Sequence, residues 1–238
     1  MAVPERMPFV AGGNAVVFGA SGGIGSALVD VLRDRCNLAG VIGFSRSSCP
    51  AIDLLNEASL KEAAAFAAAQ GDIRIVVDAT GFLHDATHLP EKSWRDLDPS
   101  QMARSFALNA IGPALIMKHI LPLLPREGKT VFASLSAKVG SIGDNHLGGW
   151  YSYRASKAAL NQLIHTASIE LRRQRPEAIC VALHPGTVDT RLAAPFRKTG
   201  LPIQSPKVAA EHLIAAMEQM GVHDSGGFFD QRGRPIPW

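Results

Sequence analysis

Residues 16–28 read VVFGASGGIGSAL. An apolar run of strand character passes into Gly19, Gly23 and Gly25, and then into the helical pattern GSALVDVLRDR. Glycines between a strand and a helix make a turn whose backbone a phosphate can approach, with the helix N-terminus behind it to receive the charge. The spacing is G-x-x-x-G-x-G, not the commoner dinucleotide G-x-G-x-x-G. A tight turn needs glycine in any case, so the flanks carry the argument. They predict a dinucleotide site with Gly19, Ser21, Gly22, Gly23, Ile24 and Gly25 around the pyrophosphate.

Outward from this loop the same alternation continues. Apolar runs of strand length occur at 14–20, 38–45, 73–80, 128–136, 178–186 and 226–230. Between them lie helical patterns, alanine-rich at 56–70 and longer at 101–124, 152–174 and 205–220. Strands and helices taken in turn imply parallel pairing through right-handed crossovers. The predicted fold is an α/β, Rossmann-type, doubly wound and mostly parallel sheet in three αβα layers. No linker, repeat or second compositional block divides the chain, so one domain is expected over 1–238.

Composition narrows the function classes. Apolar residues make up 47% and charged residues 19% of the 238, a globular balance with enough chain for a substantial core. The net charge is only +3, and the densest basic run, LRRQRPE at 171–177, falls where a helix ends and reads as its solvated terminus. Cys36, Cys49 and Cys180 form neither a C-x-x-C pair nor a disulfide framework, which points to free thiols in a reducing compartment. No apolar leader opens the chain and no run approaches ~18 apolar residues. The expectation is a cytoplasmic protein with no nucleic-acid or membrane partner. His84 and His88 lie four apart in a loop without a third ligand, so no metal is expected.

About 20 residues beyond the glycines, an acid would bind the ribose 2′-hydroxyl of NAD. The second strand ends instead in GFSRSS (43–48), and Arg46, beside Ser45, is placed to pair with a 2′-phosphate. NADP(H) is therefore the expected cofactor, with NAD(H) the alternative.

Both tyrosines fall in YSYRASKAAL (151–160). Residues four apart share a helix face, so Tyr153 and Lys157 point together, whereas Tyr151 is followed four later by Ala155. A phenol titrates near ~10, and a neighbouring ammonium favours phenolate, so Lys157 is expected to lower the Tyr153 pKa. A tyrosine tuned in that way exchanges a proton with a carbonyl or alcohol oxygen.

The glycine loop, DATG (78–81), Asn109, the serines after the fourth strand, YRASK and HPGTVDT (184–190) occur in one order. From about residue 13 onward the chain resembles the short-chain dehydrogenase/reductase family. GSIGDNHLGGWYSYRASKAALN and the ending GGFFDQRGRPIPW resemble the Sniffer-like carbonyl reductases and C-factor proteins within it. The resemblance implies Tyr153 as catalytic acid/base, with Lys157 lowering its pKa and binding the nicotinamide ribose. It implies that Asn109 holds a water in a relay to Lys157. Pro185, Gly186, Val188 and Thr190 match the loop over the nicotinamide. Asp53 and Leu54 match the pair beside the adenine, and Ala79, Thr80 and Gly81 the loop near the adenine ribose.

The chain departs from that family at three places. Phe18 stands where a threonine is usual, and Asp78-Ala79-Thr80-Gly81 replaces Asn-Asn-Ala-Gly, which should weaken loop-stabilising contacts. The catalytic serine position aligns with Ala137. A one-residue bulge at the strand end is expected to return Ser136 to the site, with Ser134 the deeper alternative.

These readings imply NADPH-dependent reduction of an aldehyde or ketone, with a small-molecule carbonyl or alcohol as partner. Two alternatives stand beside it, an NAD-dependent alcohol dehydrogenase and a dinucleotide-binding signalling protein with little turnover. The segment 191–206 is expected to form much of the substrate pocket. The helices at 101–122 and 153–173 are expected to form a homodimer interface, as the resemblance implies.

Overall fold

In the computed structural model, residues 9, 11–34, 37–196 and 203–238 are described. Six strands form one sheet: β1 (Gly13–Phe18), β2 (Leu38–Phe44), β3 (Ile73–Asp78), β4 (Thr130–Leu135), β5 (Ala178–His184) and β6 (Phe228–Asp230). Their order is β2-β1-β3-β4-β5-β6, and every neighbouring pair is parallel. The chain winds outward from β1 to β2, then crosses back to β3, so strand order reverses between β1 and β3. Beyond the carboxyl ends of strands at such a reversal lies the usual ligand crevice of an open α/β sheet.

The helices are α1 (Gly23–Arg33), α2 (Glu57–Ala69), α3 (Pro99–Phe106), α4 (Gly112–Ile120), α5 (Tyr151–Gln174) and α6 (Pro206–Gln219). Alternate residues of each strand feed two cores, as the two-residue period of a strand requires. Val16, Phe18, Val76, Phe132 and Cys180 pack with residues of α2, α4 and α5. Ala15, Val17, Val77, Val181 and Leu183 pack with α1 and α6. Three layers result, as the alternation predicted. Local signals fix the helix starts: Asn56 caps α2, Asp98 caps α3 ahead of Pro99, and Ser205 caps α6 ahead of Pro206.

The single helix expected over 101–124 is more complicated. A π-helical turn, Ala107–Ile111, separates α3 from α4, and it holds Asn109. Inserted π turns concentrate at functional sites. By length and composition, Pro99–Leu123 also passes as a stretch long and apolar enough to cross a membrane, a test that core helices pass as well. Ile116, Met117 and Ile120 of that run are buried in the core. Cys180 is buried and Cys49 exposed, both as free thiols, and Cys36 lies outside the described residues.

Candidate active site

The glycine loop has the shape its sequence called for. Gly19 adopts φ 81°, and a Cβ there would stand 2.9 Å from the Ala79 carbonyl carbon. A Cβ on Gly25 would meet the Gly19 carbonyl oxygen at 2.1 Å, so the first turn of α1 closes directly on the loop. Gly19 and Ala20 both donate their amides to the Phe44 carbonyl, tying the loop to the end of β2. Gly22 is the N-cap of α1, without a side-chain cap, and no acid stands in the first turn. The orphan amides of that turn, Gly23 and Ile24 among them, are therefore left for an external anion, with Ser21 exposed beside them. Gly23 also abuts Thr190, whose methyl would lie 2.9 Å from a Cβ at that position. This brings the glycine loop and the Pro185–Thr190 segment to opposite sides of one crevice.

Serines shape the turn after β2. Ser45 is buried, and its hydroxyl shares a hydrogen bond with Ser47. The Ser48 hydroxyl donates to the carbonyls of Ser45 and Pro50. Arg46 is left exposed at the strand end, with no hydrogen-bond or ion-pair partner among the described residues. Asp53 accepts from the Leu55 amide through Oδ1, and Leu54 fills the space where Gly112 lacks a side chain.

Asp78 corrects one expectation. Its carboxylate is fully buried and takes three donors: the Thr80 amide at 3.0 Å, the Thr80 hydroxyl at 2.6 Å and the Ser134 hydroxyl at 2.7 Å. Ala79 donates to the Phe18 carbonyl. The departure from Asn-Asn-Ala-Gly therefore ties the loop down instead of loosening it. Ser134 is committed to Asp78 beneath the site. Phe18, in the threonine position, packs on Phe44 with ring centroids 5.3 Å apart.

Tyr153 and Lys157 lie on the first turns of α5. Tyr153 lines a cavity of about 550 Å³, and Tyr151 does not. Lys157 is 2% exposed and donates from Nζ to the Leu135 carbonyl at 2.8 Å, at the end of β4. Burial holds its ammonium down to about 8, and the negative charge of Asp78 partly opposes that. The Tyr153 phenol is pushed up to about 12 by burial. This direction is opposite to the one expected from spacing alone. Desolvation outweighs the neighbouring amine, which is itself drawn toward its neutral form and spent on a main-chain carbonyl. A phenol so held stays protonated at neutral pH, the form that can give a proton, while the shift itself makes it a weaker acid.

Asn109 is buried, and its side chain is wholly engaged. Oδ1 accepts from the Phe82 amide at 2.7 Å, while Nδ2 donates to the Phe82 carbonyl at 2.8 Å and to the Ser156 hydroxyl at 3.1 Å. The residue clamps the segment after β3 to α5. A Cβ on Gly81 would lie 3.7 Å from both Asn109 Oδ1 and Lys157 Nζ, so the three meet. The side chain positions the loop beside Lys157, and a relay water would have to rest on the main chain.

Ser136 lines the same cavity as Tyr153, as foreseen, but neither the expected bulge nor a hydrogen bond to Tyr153 brings it there. β4 and β5 stay in regular register from Thr130↔Ala178 to Leu135↔Leu183, and the Ser136 amide continues the ladder to the Leu183 carbonyl. No bulge turns the chain. Strand alternation sends Ser136 toward α5, where its hydroxyl donates to Asn161 Oδ1 at 2.6 Å, not to Tyr153. Ala137 stands beside it on the cavity wall.

Sequence reading missed Glu91. The N-cap of α5 is Trp150, left-handed at φ 55°, with no side-chain cap. Gly148 (φ 63°) and Gly149 (φ 64°) precede it in the same conformation. A non-glycine residue there costs of order 1–3 kcal/mol, and such residues collect at active sites. Glu91, 3% exposed and from the distant β3–α3 connection, supplies the missing cap. Its carboxylate accepts from the Ser152 hydroxyl and, at 3.2 Å, from the Ser152 amide, while its carbonyl accepts from the Trp150 amide. The Trp150 ring meets Tyr153 edge-on at 6.1 Å and Phe196 at 5.1 Å. No local signal joins residues 91 and 152.

The far wall of the cavity is the Pro185–Thr190 segment. Gly186 is left-handed at φ 79°, Val188 is 3% exposed and bridges Gln204, and Pro185 accepts from the Gln204 side chain at 2.6 Å. His184, just before it, lies in the wall with its pKa lowered to about 4 by burial. Residues 197–202 of the expected substrate segment lie outside the described residues. Among the described residues no cluster of three His, Cys, Asp or Glu side chains has a metal-binding arrangement.

Comparison with known proteins defines the class. A family model described as enoyl-(acyl carrier protein) reductase matches residues 23–216, and the chain belongs to the short-chain dehydrogenase/reductase family. It is 35% identical over 144 residues to the C-signal protein of Myxococcus xanthus, covering 60% of this chain and 82% of that one. It is 30% identical over 238 residues to 1-hydroxy-2-glutathionyl-2-methyl-3-butene dehydrogenase of Rhodococcus sp. (strain AD45), covering 94% and 99%. Its fold matches carbonyl reductase Sniffer of D. melanogaster (TM-score 0.82, 22% identity, 95% of this chain and 100% of that one). It also matches an NADPH-bound carbonyl reductase from chicken fatty liver (TM-score 0.84, 22% identity, 98% and 97%). The chain is an NAD(P)-dependent oxidoreductase of this family.

Proposed function

We propose that the protein reduces an aldehyde or ketone to an alcohol with NADPH, acting as one dinucleotide-binding catalytic domain. The observation that carries this reading is the position of Tyr153, at the mouth of a cavity whose opposite wall is the Pro185–Thr190 segment. The residues fit a dinucleotide: glycines leave a cradle that a side chain would fill, and α1 starts without a side-chain cap. The pyrophosphate would rest on Gly19–Gly25, the 2′-phosphate against Arg46 with Ser45, the adenine by Asp53 and Leu54, its ribose by Ala79–Gly81, and the nicotinamide under Val188 and Thr190. When bound, NADPH supplies the hydride that becomes the new C–H bond.

Tyr153 does the proton work. As the C=O π pair moves onto oxygen, its hydroxyl gives that oxygen a proton, and Lys157 beneath it is the source from which the phenol is restored. Asn109 and Glu91 hold the two ends of the β3–α3 connection against α5, which fixes the distance between Tyr153 and the far wall. Relatives crystallised with NADPH support the cofactor assignment, and Arg46 supports the phosphorylated form.

Similarity to C-signal favours a second reading, a dinucleotide-binding signalling protein with little turnover. Tyr153 on the cavity wall, with buried Lys157 one turn away, favours chemistry. A cytoplasmic homodimer joined through the helices at 101–122 and 153–173 belongs to the proposal: Ile111, Leu163 and Ile169 lie outward there, 55%, 37% and 43% exposed. The decisive experiment is a panel of aldehydes and ketones with NADPH, followed at the nicotinamide absorbance band. Substrate-dependent oxidation that vanishes in Tyr153→Phe, persists in Tyr151→Phe and leaves dinucleotide binding intact upholds the reading. Tight dinucleotide binding with no turnover of any carbonyl would favour the signalling protein.

A further inference from the structure

The wall of the cavity around Tyr153 is apolar over most of its extent, with Leu83, Val139, Leu147, Leu192 and Phe196 among its residues. Its charged residues are Lys92, Lys138 and Arg154, and no aspartate or glutamate lines it among the described residues. These cations are not equivalent. Lys138 is paired with Asp144 at 3.2 Å. Arg154 holds the left-handed stretch in place, donating to the carbonyls of Gly149 (2.9 Å), Gly148 (3.1 Å) and Val139 (3.2 Å). That uses three of the five guanidinium N–H groups and leaves two; no carboxylate contacts the group, and the Asp144 carboxylate, paired with Lys138, acts on it from a distance. Lys92 is exposed, and its ammonium has no partner among the described residues. Its main chain lies against Gly149, where a Cβ would stand 3.8 Å from the Lys92 carbonyl oxygen. Lys92 and Arg154 therefore flank the same three residues, Gly148 to Trp150, next to Tyr153.

This charge pattern is informative because of what surrounds it. Leu147, 81% exposed, also lines the cavity, so an apolar surface meets the partnerless Lys92 ammonium and the two spare N–H groups of Arg154. A neutral apolar substrate would gain nothing from the cations, while an anion alone would gain nothing from the wall. A molecule with both parts satisfies each, since a carboxylate leaving water requires paired donors, which ammonium and guanidinium groups supply at their strongest.

We propose that the substrate is a carbonyl compound with an apolar body and a carboxylate at its far end, held by Lys92 and the free N–H groups of Arg154 while its carbonyl faces Tyr153. The assignment rests on the carbonyl-reduction reading for its chemistry, but the anion subsite is a separate claim about binding.

The test uses a matched pair of aldehydes, 4-formylbenzoate and its methyl ester, with NADPH. The expected result is a kcat/KM for the carboxylate at least about tenfold above that for the ester, the scale of one charge-assisted hydrogen bond. That preference should shrink as salt is raised, because the cations are exposed. Lys92→Met should reduce the ratio toward one, and Lys92→Arg should restore it. Lys92 is a surface residue, so these variants leave the fold in place. Equal or better use of the ester, or a preference untouched by Lys92→Met, overturns the proposal. Should neither aldehyde be reduced, the carbonyl-reduction reading fails for this pair and the anion subsite is judged by binding. Quenching of tryptophan fluorescence by 4-formylbenzoate but not by the ester, lost in Lys92→Met, then upholds the subsite, and equal quenching by both overturns it.

Discussion

Replacing Glu91 with alanine takes away the carboxylate that caps α5 from another part of the chain. Two donors lose their acceptor, the Ser152 hydroxyl and the Ser152 amide, and both are buried with Glu91 itself at 3% exposure. A hydrogen bond to a charged group contributes about 1.5–3 kcal/mol, and an orphaned buried donor costs about 1–3 kcal/mol. An anion at a helix N-terminus adds up to ~2 kcal/mol where it is partly buried. These overlap, so the expected loss is about 3 kcal/mol. Glu91→Gln keeps one acceptor oxygen and loses the charge, for a loss of about 1 kcal/mol. Urea unfolding followed by circular dichroism measures both, and thermal unfolding should show Tm falling by ~6–12 °C in the alanine variant. Because Trp150 and Tyr153 follow the cap directly, kcat should fall further than stability alone explains at a temperature where the variant is fully folded. A loss below about 0.5 kcal/mol for Glu91→Ala would refute the capping argument.

Arg46→Ala should weaken NADPH binding by about tenfold or more and leave NADH nearly unchanged, since only the 2′-phosphate loses a partner; equal losses in a fluorescence titration would make Arg46 structural. Lys157 titrates near 8 in the folded chain against an ordinary 10.5, so between those pH values the unfolded chain binds more protons and stability rises with pH. The full effect is about 3 kcal/mol. Above pH 10 the raised Tyr153 pKa acts the other way, because the unfolded phenol ionises first, so unfolding of wild type against Lys157→Met is best compared from pH 8 to 10. A flat difference would contradict the buried amine. Ser136→Ala should cost about 1 kcal/mol by leaving Asn161 without its donor, and should keep most of the turnover; a loss of a hundredfold in kcat would restore Ser136 to the reaction. Light scattering at micromolar concentration should give the mass of a dimer, and a monomer mass would reject the interface through 101–122 and 153–173.

Much of this was legible in the sequence because it is local or periodic. The glycines of 19–25 declare their turn through conformations other residues avoid, and the strand runs declare the sheet through burial on both faces. Helical spacing puts Tyr153 and Lys157 on one face, and the order of motifs along the chain singles the two out. What stayed hidden depends on contacts between distant segments. The sign of the Tyr153 pKa follows from how deeply the helix is buried, which spacing does not contain. Ser136 was assigned by analogy with a serine one position later, but strand alternation and Asn161 decide where its hydroxyl goes. Glu91 sits 61 residues from the amide it caps. Asp78 differs from the family pattern in charge, and only its three donors show that the change binds the loop more firmly.

The β3–α3 connection is fastened at Phe82 by Asn109 and at Glu91 by Ser152 and Trp150; between them Asp85 pairs with Arg104, the Leu89 carbonyl accepts from the Gln101 side chain, and His84 shares a hydrogen bond with the Leu192 carbonyl. Its two anchors sit against the residues around Tyr153 and Lys157, whereas the span from His84 to Pro90 meets the cavity only behind its wall, where His84 packs on Phe196 and bonds to Leu192. Such an arrangement separates what must be kept from what is free to vary. A loop of different length or composition between the anchors would change the backing of Phe196 and Leu192 while leaving the contacts that place Tyr153 in position.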